Sequence, residues 1–235
     1  MALPKEKSRI VSAIEKQNIF IYGRPKIGKS TFASRFPNAV FAAAEPGHQW
    51  LEIFKRNINT WEAFLMFAAE LRDEKHSFST FVLDTIDALY DMAFDYTCER
   101  LGVEHPGDTG HGKGWKEIAK EFSRVMRGVC TLGMGVIFIS HSKRAERKTK
   151  TETIHIETPT LTEQPKRLVL PLCDLVLLAD TNPLTSERII RPKADPYTDS
   201  GSRMEQILPD ELPLTYAALE AALRGKSIDK KRRKK

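Results

Sequence analysis

Residues 18–36 read NIFIYGRPKIGKSTFASRF. A short apolar run leads into Gly23-Arg24-Pro25-Lys26-Ile27-Gly28-Lys29-Ser30, a full G-x-x-x-x-G-K-[ST], and Thr31 then opens a helical TFASRF. Strand, glycine loop and helix stand in the order that a phosphate cradle requires. The glycines let backbone amides turn inward on a β-phosphate, Lys29 reaches the β and γ oxygens, and the Ser30 hydroxyl is a Mg²⁺ ligand. Residues 23–31 are therefore the candidate nucleotide-binding segment, with ATP and Mg²⁺ as its ligands.

Outward from this stretch, short apolar runs alternate with longer amphipathic ones, the pattern of parallel βαβ units. Strands are expected at 19–22, 39–44, 78–83, 136–139, 174–179 and 188–191. The clearest helices are expected at 60–75 (apolar Trp61, Phe64, Leu65, Ala68, Leu71), 86–101, and 115–132 (Ile118, Phe122, Val125, Val129), each with one buried face. The fold class is α/β, a mostly parallel sheet flanked by helices. A core at 18–194 follows a short segment 1–17, and a connector with a last helix (195–225) leads to a basic tail (226–235).

Two segments fit neither period. Residues 102–114 (GVEHPGDTGHGKG) hold five of the 13 glycines, and residues 142–153 (SKRAERKTKTET) carry Lys143, Arg144, Arg147, Lys148 and Lys150 against two acids. Both read as mobile loops. Hydrophobic residues are 41% and charged residues 29%, which excludes disordered and membrane classes, and a cytoplasmic chain is expected. The net charge of +6 resides in the all-basic 230–235; without those six residues the basic count equals the 31 acids. Such a tail suits a polyanion or simply solvent. Cys98, Cys130 and Cys173 are too scattered for a disulfide framework or a zinc site and read as reduced core residues.

Three further side chains fall at strand ends. Asp84 closes FSTFVLD, where a carboxylate holds Mg²⁺ across the sheet edge; the lesser alternative is a cap of the next helix, with Asp87 in its first turn. Glu45 closes AVFAAAE before Pro46-Gly47, positioned to orient a water, or to stand as a surface residue beside a turn. His141 follows GVIFIS as a γ-phosphate sensor or as a structural histidine.

On these residues, the chain from about 15 to 195 resembles the RecA-like recombinase ATPases, especially the small phage-encoded RecA-core proteins that act in single-strand annealing or recombination. The resemblance implies Glu45 as catalytic carboxylate, Asp84 as metal ligand and His141 as sensor, where the family usually has glutamine. It places two DNA-binding loops at 102–114, which includes Lys113, and at 142–153. Arg191 and Lys193 in ERIIRPK match a basic pair that reaches the neighbouring subunit's ATP, although Pro192 between them departs from the pattern and both also read as exposed cations. The long N-terminal docking element of bacterial RecA has no counterpart in the roughly 17 residues before the first strand. Implied partners are single-stranded DNA, further copies of the chain and a single-strand-binding protein. Two other readings stay open: a small-molecule kinase with 102–114 as its lid, and a nucleotide-gated scaffold or loader with negligible turnover.

Overall fold

The computed structural model describes residues 13–148, 152–204 and 208–225. Its strands are β1 (Asn18–Gly23), β2 (Ala39–Ala43), β3 (Phe54–Asn57), β4 (Thr80–Asp84), β5 (Gly135–Lys148), β6 (Thr153–Pro159), β7 (Leu175–Thr181), β8 (Arg188–Arg191), β9 (Gly201–Ser202) and β10 (Leu212–Pro213). The helices are α1 (Lys29–Ala33), α2 (Trp61–Asp73), α3 (Ile86–Leu101), α4 (Lys113–Val129), α5 (Glu163–Val169) and α6 (Tyr216–Leu223).

Every residue of β1 from Ile19 onward is buried, as a strand covered on both faces demands. Its side chains alternate between two cores. Phe20 and Tyr22 join the layer built with α2, α3 and α4, through Trp61, Phe64, Leu89 and Phe122. Ile19 and Ile21 join the opposite layer with Phe32 of α1 and Leu219 of α6. The result is helices on both faces of one sheet, ordered β10-β8-β7-β1-β5-β4-β2-β3, with β6 added to β5 and β9 to β7. The run from β7 to β3 is parallel, whereas β8, β9 and β10 are antiparallel additions at one side. This is an α/β fold with a mostly parallel central sheet flanked by helices.

The register brings the site together. Gly23 lies beside His141 and Asp84 beside Ile139, so the carboxyl ends of β1, β5 and β4 share one edge. β5 stands between β1 and β4, so Asp84 faces the phosphate loop across an intervening strand.

Residues 142–148 do not form the expected loop. β5 runs on to Lys148 and pairs back on β6 in an antiparallel hairpin, Ser142 opposite Pro159 and Lys148 opposite Thr153. The hairpin is held to the body of the fold by Asp199. Asp199 accepts hydrogen bonds from Arg147 (2.6 Å), Thr158 (2.6 Å) and Lys166 (3.3 Å), while its own amide donates to the buried Tyr22 hydroxyl at 2.9 Å. The glycine-rich 102–114 is also more ordered than expected. His105 caps a helical turn at Pro106–Thr109, and Gly114 packs so close to Pro106 that a Cβ would sit 2.5 Å from its carbonyl oxygen. The short β9 and β10 precede α6, which Thr215 caps by accepting from the Ala218 amide. Among the described residues the three cysteines are free, and no helix is long and apolar enough to cross a membrane.

Candidate functional site

The phosphate loop is shaped by its glycines. Gly28, at the head of α1, takes φ +111°, a conformation that a side chain strains, and a Cβ there would lie 3.1 Å from the Arg188 guanidinium. No side chain caps α1, which leaves its first amides to a ligand. Lys29 is buried, and its Nζ donates to the loop's own carbonyls at Gly23 (2.7 Å) and Arg24 (3.0 Å), with His141 Nδ1 at 3.5 Å. Burial lowers its pKa to about 8, against the opposing pull of Asp84, Glu45 and Asp87. Arg24, Pro25, Lys26 and Thr31 are exposed, whereas Ile27 anchors the loop in the α1–α6 core.

Asp84 is buried beside Ser30, whose hydroxyl donates to Asp84 Oδ2 at 2.6 Å. The cap of α3 is Thr85, which accepts from the Ala88 amide, so Asp84 is free of that duty. Two hard oxygens at the foot of a phosphate loop suit Mg²⁺, and the donor set fits the metal that this kind of loop uses. A third group converges there. His48 is buried, with Nε2 2.9 Å from Asp84 Oδ2 and its ring edge-on to Phe41. A carboxylate accepts only, so Nε2 carries the proton, and Nδ1 is buried with no partner among the described residues. His48 escapes a sequence reading because only the fold joins it to Asp84, 36 residues away; its one local signal is its place three residues past Glu45. His48→Ala is expected to lower the melting temperature by about 4–8 °C, the loss of roughly 2 kcal/mol for a buried hydrogen bond to a charge. His48→Gln, whose amide reaches the same oxygen, should restore most of it in a thermal melt followed by circular dichroism.

Glu45 faces the same edge from the end of β2. Its Oε1 accepts from Thr85 Oγ1 at 2.6 Å and its Oε2 lies 3.3 Å from His141 Nε2. Lys29, His141 and Glu45 are thus linked in a row. Behind them Asp87 accepts from Thr160 at 2.7 Å, and burial pushes its carboxyl up, against that hydrogen bond. Thr85 and Thr160, which fix the carboxylates, carry no sequence signal of their own.

The remaining predicted residues lie apart from this row. Arg191 sits 3.6 Å from Asp180 and 3.3 Å from Glu211, and Lys193 donates to Asp210 at 2.8 Å. Lys113 is exposed at the start of α4. Lys143, Arg144 and Lys148 are exposed on the hairpin, whereas the Arg147 guanidinium is engaged by Asp199. Lys150 and the 230–235 tail lie outside the described residues.

Fold and site together define a P-loop nucleotide-binding domain. A family model for an AAA domain matches residues 15–204, and the chain belongs to that family. It is 26% identical over 190 residues to the SPbeta prophage-derived uncharacterized protein YorG of Bacillus subtilis (strain 168), covering 77% of this chain. The match takes in 56% of that relative, so the chain spans little more than half its length. Among solved structures it is similar to a KaiC-like protein of the hyperthermophilic archaeon Pyrococcus horikoshii OT3, at 13% identity, 85% coverage of each chain and a TM-score of 0.47. It is also similar to the RadB recombinase, at 14% identity, 76% coverage of this chain, 80% of that one and a TM-score of 0.45.

Proposed function

We propose that the protein is an Mg²⁺-dependent ATPase that binds single-stranded DNA and promotes strand annealing or exchange as a homo-oligomer in the cytoplasm. The observation that carries this reading is the continuity of β5: the strand that bears His141 in the nucleotide site runs on into the basic hairpin. One continuous strand thus joins the nucleotide site to the basic hairpin.

In this reading Lys29 leaves the carbonyls of Gly23 and Arg24 for the β and γ phosphate oxygens of ATP. Ser30 and Asp84 would hold Mg²⁺, which would neutralise phosphate charge there. Glu45, fixed by Thr85, accepts the proton of the attacking water, and His141 donates toward the γ-phosphate. Arg191 and Lys193 exchange their acidic partners for the ATP of a neighbouring copy, which couples turnover to assembly. A single-strand-binding protein is the expected accessory partner. The prophage origin of the Bacillus relative supports a phage setting.

ATP hydrolysis measured with and without oligo-dT, with particle size recorded in the same samples, tests the proposal. Turnover stimulated at least tenfold by DNA, together with ATP-dependent assembly, is the expected result. Turnover indifferent to DNA by a persistent monomer overturns it.

A further inference from the structure

His48 is a buried polar residue to which the ATPase reading assigns no task. It lies in the turn after β2, three residues past Glu45, and Gly47 before it takes φ +135°, a conformation that favours glycine. Four hydrogen bonds tie this turn to the end of β4. The amides of Ala44 and Glu45 donate to the Asp84 carbonyl at 2.7 and 3.3 Å, the Thr85 hydroxyl donates to Glu45 Oε1 at 2.6 Å, and His48 Nε2 donates to Asp84 Oδ2 at 2.9 Å. The turn with the candidate base is thus fixed to the strand end with the candidate metal ligand.

Of these four contacts only the last grips the Asp84 carboxylate. Its Oδ2 takes two donors, Ser30 Oγ and His48 Nε2, and its Oδ1 has no partner among the described residues. The Ser30 hydroxyl is shared, because it is also a candidate Mg²⁺ ligand. His48 has no other duty, and its ring is 5% exposed and packed edge-on against Phe41. A carboxylate held at one oxygen by a fixed donor cannot rotate freely, which leaves the other oxygen in a defined place for a cation. As a purely structural device this histidine is a poor choice. Its Nδ1 is buried with no partner among the described residues, a cost that an apolar side chain beside Phe41 would avoid.

We propose that His48 is a positioning residue for the metal site: by holding Asp84 Oδ2 it presents Oδ1 to Mg²⁺ and keeps the Glu45 turn in register with it. The inference rests on the Mg²⁺-dependent reading above and adds to it a residue that lies outside both the phosphate loop and the strand-end carboxylates. Its effect is on metal affinity first and on turnover through the metal.

Titration of a fluorescent, slowly hydrolysed ATP analogue with and without Mg²⁺ tests this on the full chain, because the ratio of the two affinities isolates the contribution of the metal. His48→Gln carries an amide that reaches as far as Nε2, His48→Asn one that stops short at the place of Nδ1, and His48→Leu keeps apolar volume beside Phe41; Asp84→Asn is the ligand control. Circular-dichroism melts set a temperature at which each is folded, and metal-free titration confirms an intact phosphate loop. In His48→Asn and His48→Leu the gain in affinity from Mg²⁺ should fall about tenfold, the lower end of the range for loss of a residue that orients a metal ligand. His48→Gln should keep that gain within about threefold of wild type. Turnover of the Asn and Leu variants should recover when Mg²⁺ is raised by about tenfold, which a merely structural defect would not do. With Mn²⁺ in place of Mg²⁺, pulsed electron paramagnetic resonance should find no nitrogen bound directly to the metal. A gain that all three His48 variants retain, or that His48→Gln loses as fully as the others, overturns the positioning role and leaves the metal site standing, as does a directly bound nitrogen in wild type. No gain from Mg²⁺ in wild type, or a gain that Asp84→Asn leaves intact, overturns the metal reading itself.

Discussion

Lys29→Met is expected to abolish nucleotide binding and at the same time to raise the melting temperature by about 3–6 °C. The two effects have one cause. Lys29 is held protonated in a buried position, where desolvation lowers its pKa from 10.5 to about 8. That shift corresponds to a penalty on the order of 3 kcal/mol for folding with the charge in place. Methionine keeps the length of the side chain and removes the charge. It also removes the hydrogen bonds to Gly23 and Arg24, worth about 1 kcal/mol or somewhat more together, so the net gain is roughly 1–2 kcal/mol. The pH dependence has a definite sign. Below about pH 8 lysine is protonated in both folded and unfolded chains, and the wild type carries the whole penalty. As pH rises from about 8 toward 10.5 the folded chain loses the proton first, the unfolded chain binds more protons, and wild-type stability climbs. The variant's advantage should therefore shrink across that window. Paired thermal melts at pH 7 and 9.5, with titration of a fluorescent ATP analogue, read all three outcomes. A variant less stable than wild type at pH 7 would show that the two carbonyl bonds outweigh the buried charge.

How much of this was legible beforehand depends on how local the signal is. Residues 18–36 specify strand, loop and helix through neighbours in sequence, and the structure follows them closely. The parallel sheet was legible because strands covered on both faces read as unbroken apolar runs, as in Ile19–Tyr22 and Val136–Ile139. β3 (FKRN) was missed because it is exposed along its whole length at a sheet edge, with no apolar face to announce it. The hairpin was misread for a related reason. Its Lys and Arg residues look like a solvated loop, and its anchor is Asp199, itself held by Tyr22, both distant in sequence. Ile156 on β6 is the one buried apolar side chain in the middle of that element, too little to set a period. The same distinction applies in the site. Lys29, Ser30, Asp84 and Glu45 stand at motif or strand-end positions, whereas His48, Thr85 and Thr160 acquire their partners only when β2, β4 and the end of the hairpin meet at one edge.

Glu45→Gln separates turnover from binding more sharply than any other substitution in this chain. The amide side chain retains an oxygen to accept from Thr85 Oγ1 and keeps the volume at the end of β2, so the fold and the neighbouring Asp84–Ser30 pair stay in place. What it lacks is basicity. If Glu45 takes the proton of the attacking water, hydrolysis should fall by about 10²–10⁴-fold, the range for loss of a general base. Affinity for ATP should change by less than about threefold, because the proposed reading gives the phosphates to Lys29 and the loop amides and Mg²⁺ to Ser30 and Asp84. A slow enzyme with intact binding accumulates in its ATP-bound form, so assembly and oligo-dT binding should become stable under conditions where wild type cycles. Single-turnover hydrolysis and analogue titration on the same preparation distinguish the possibilities. Loss of ATP binding would mean that Glu45 holds the nucleotide instead of activating water. Undiminished DNA-dependent function in a variant without turnover would make hydrolysis dispensable, and the chain a nucleotide-gated scaffold whose β5 hairpin responds to occupancy alone.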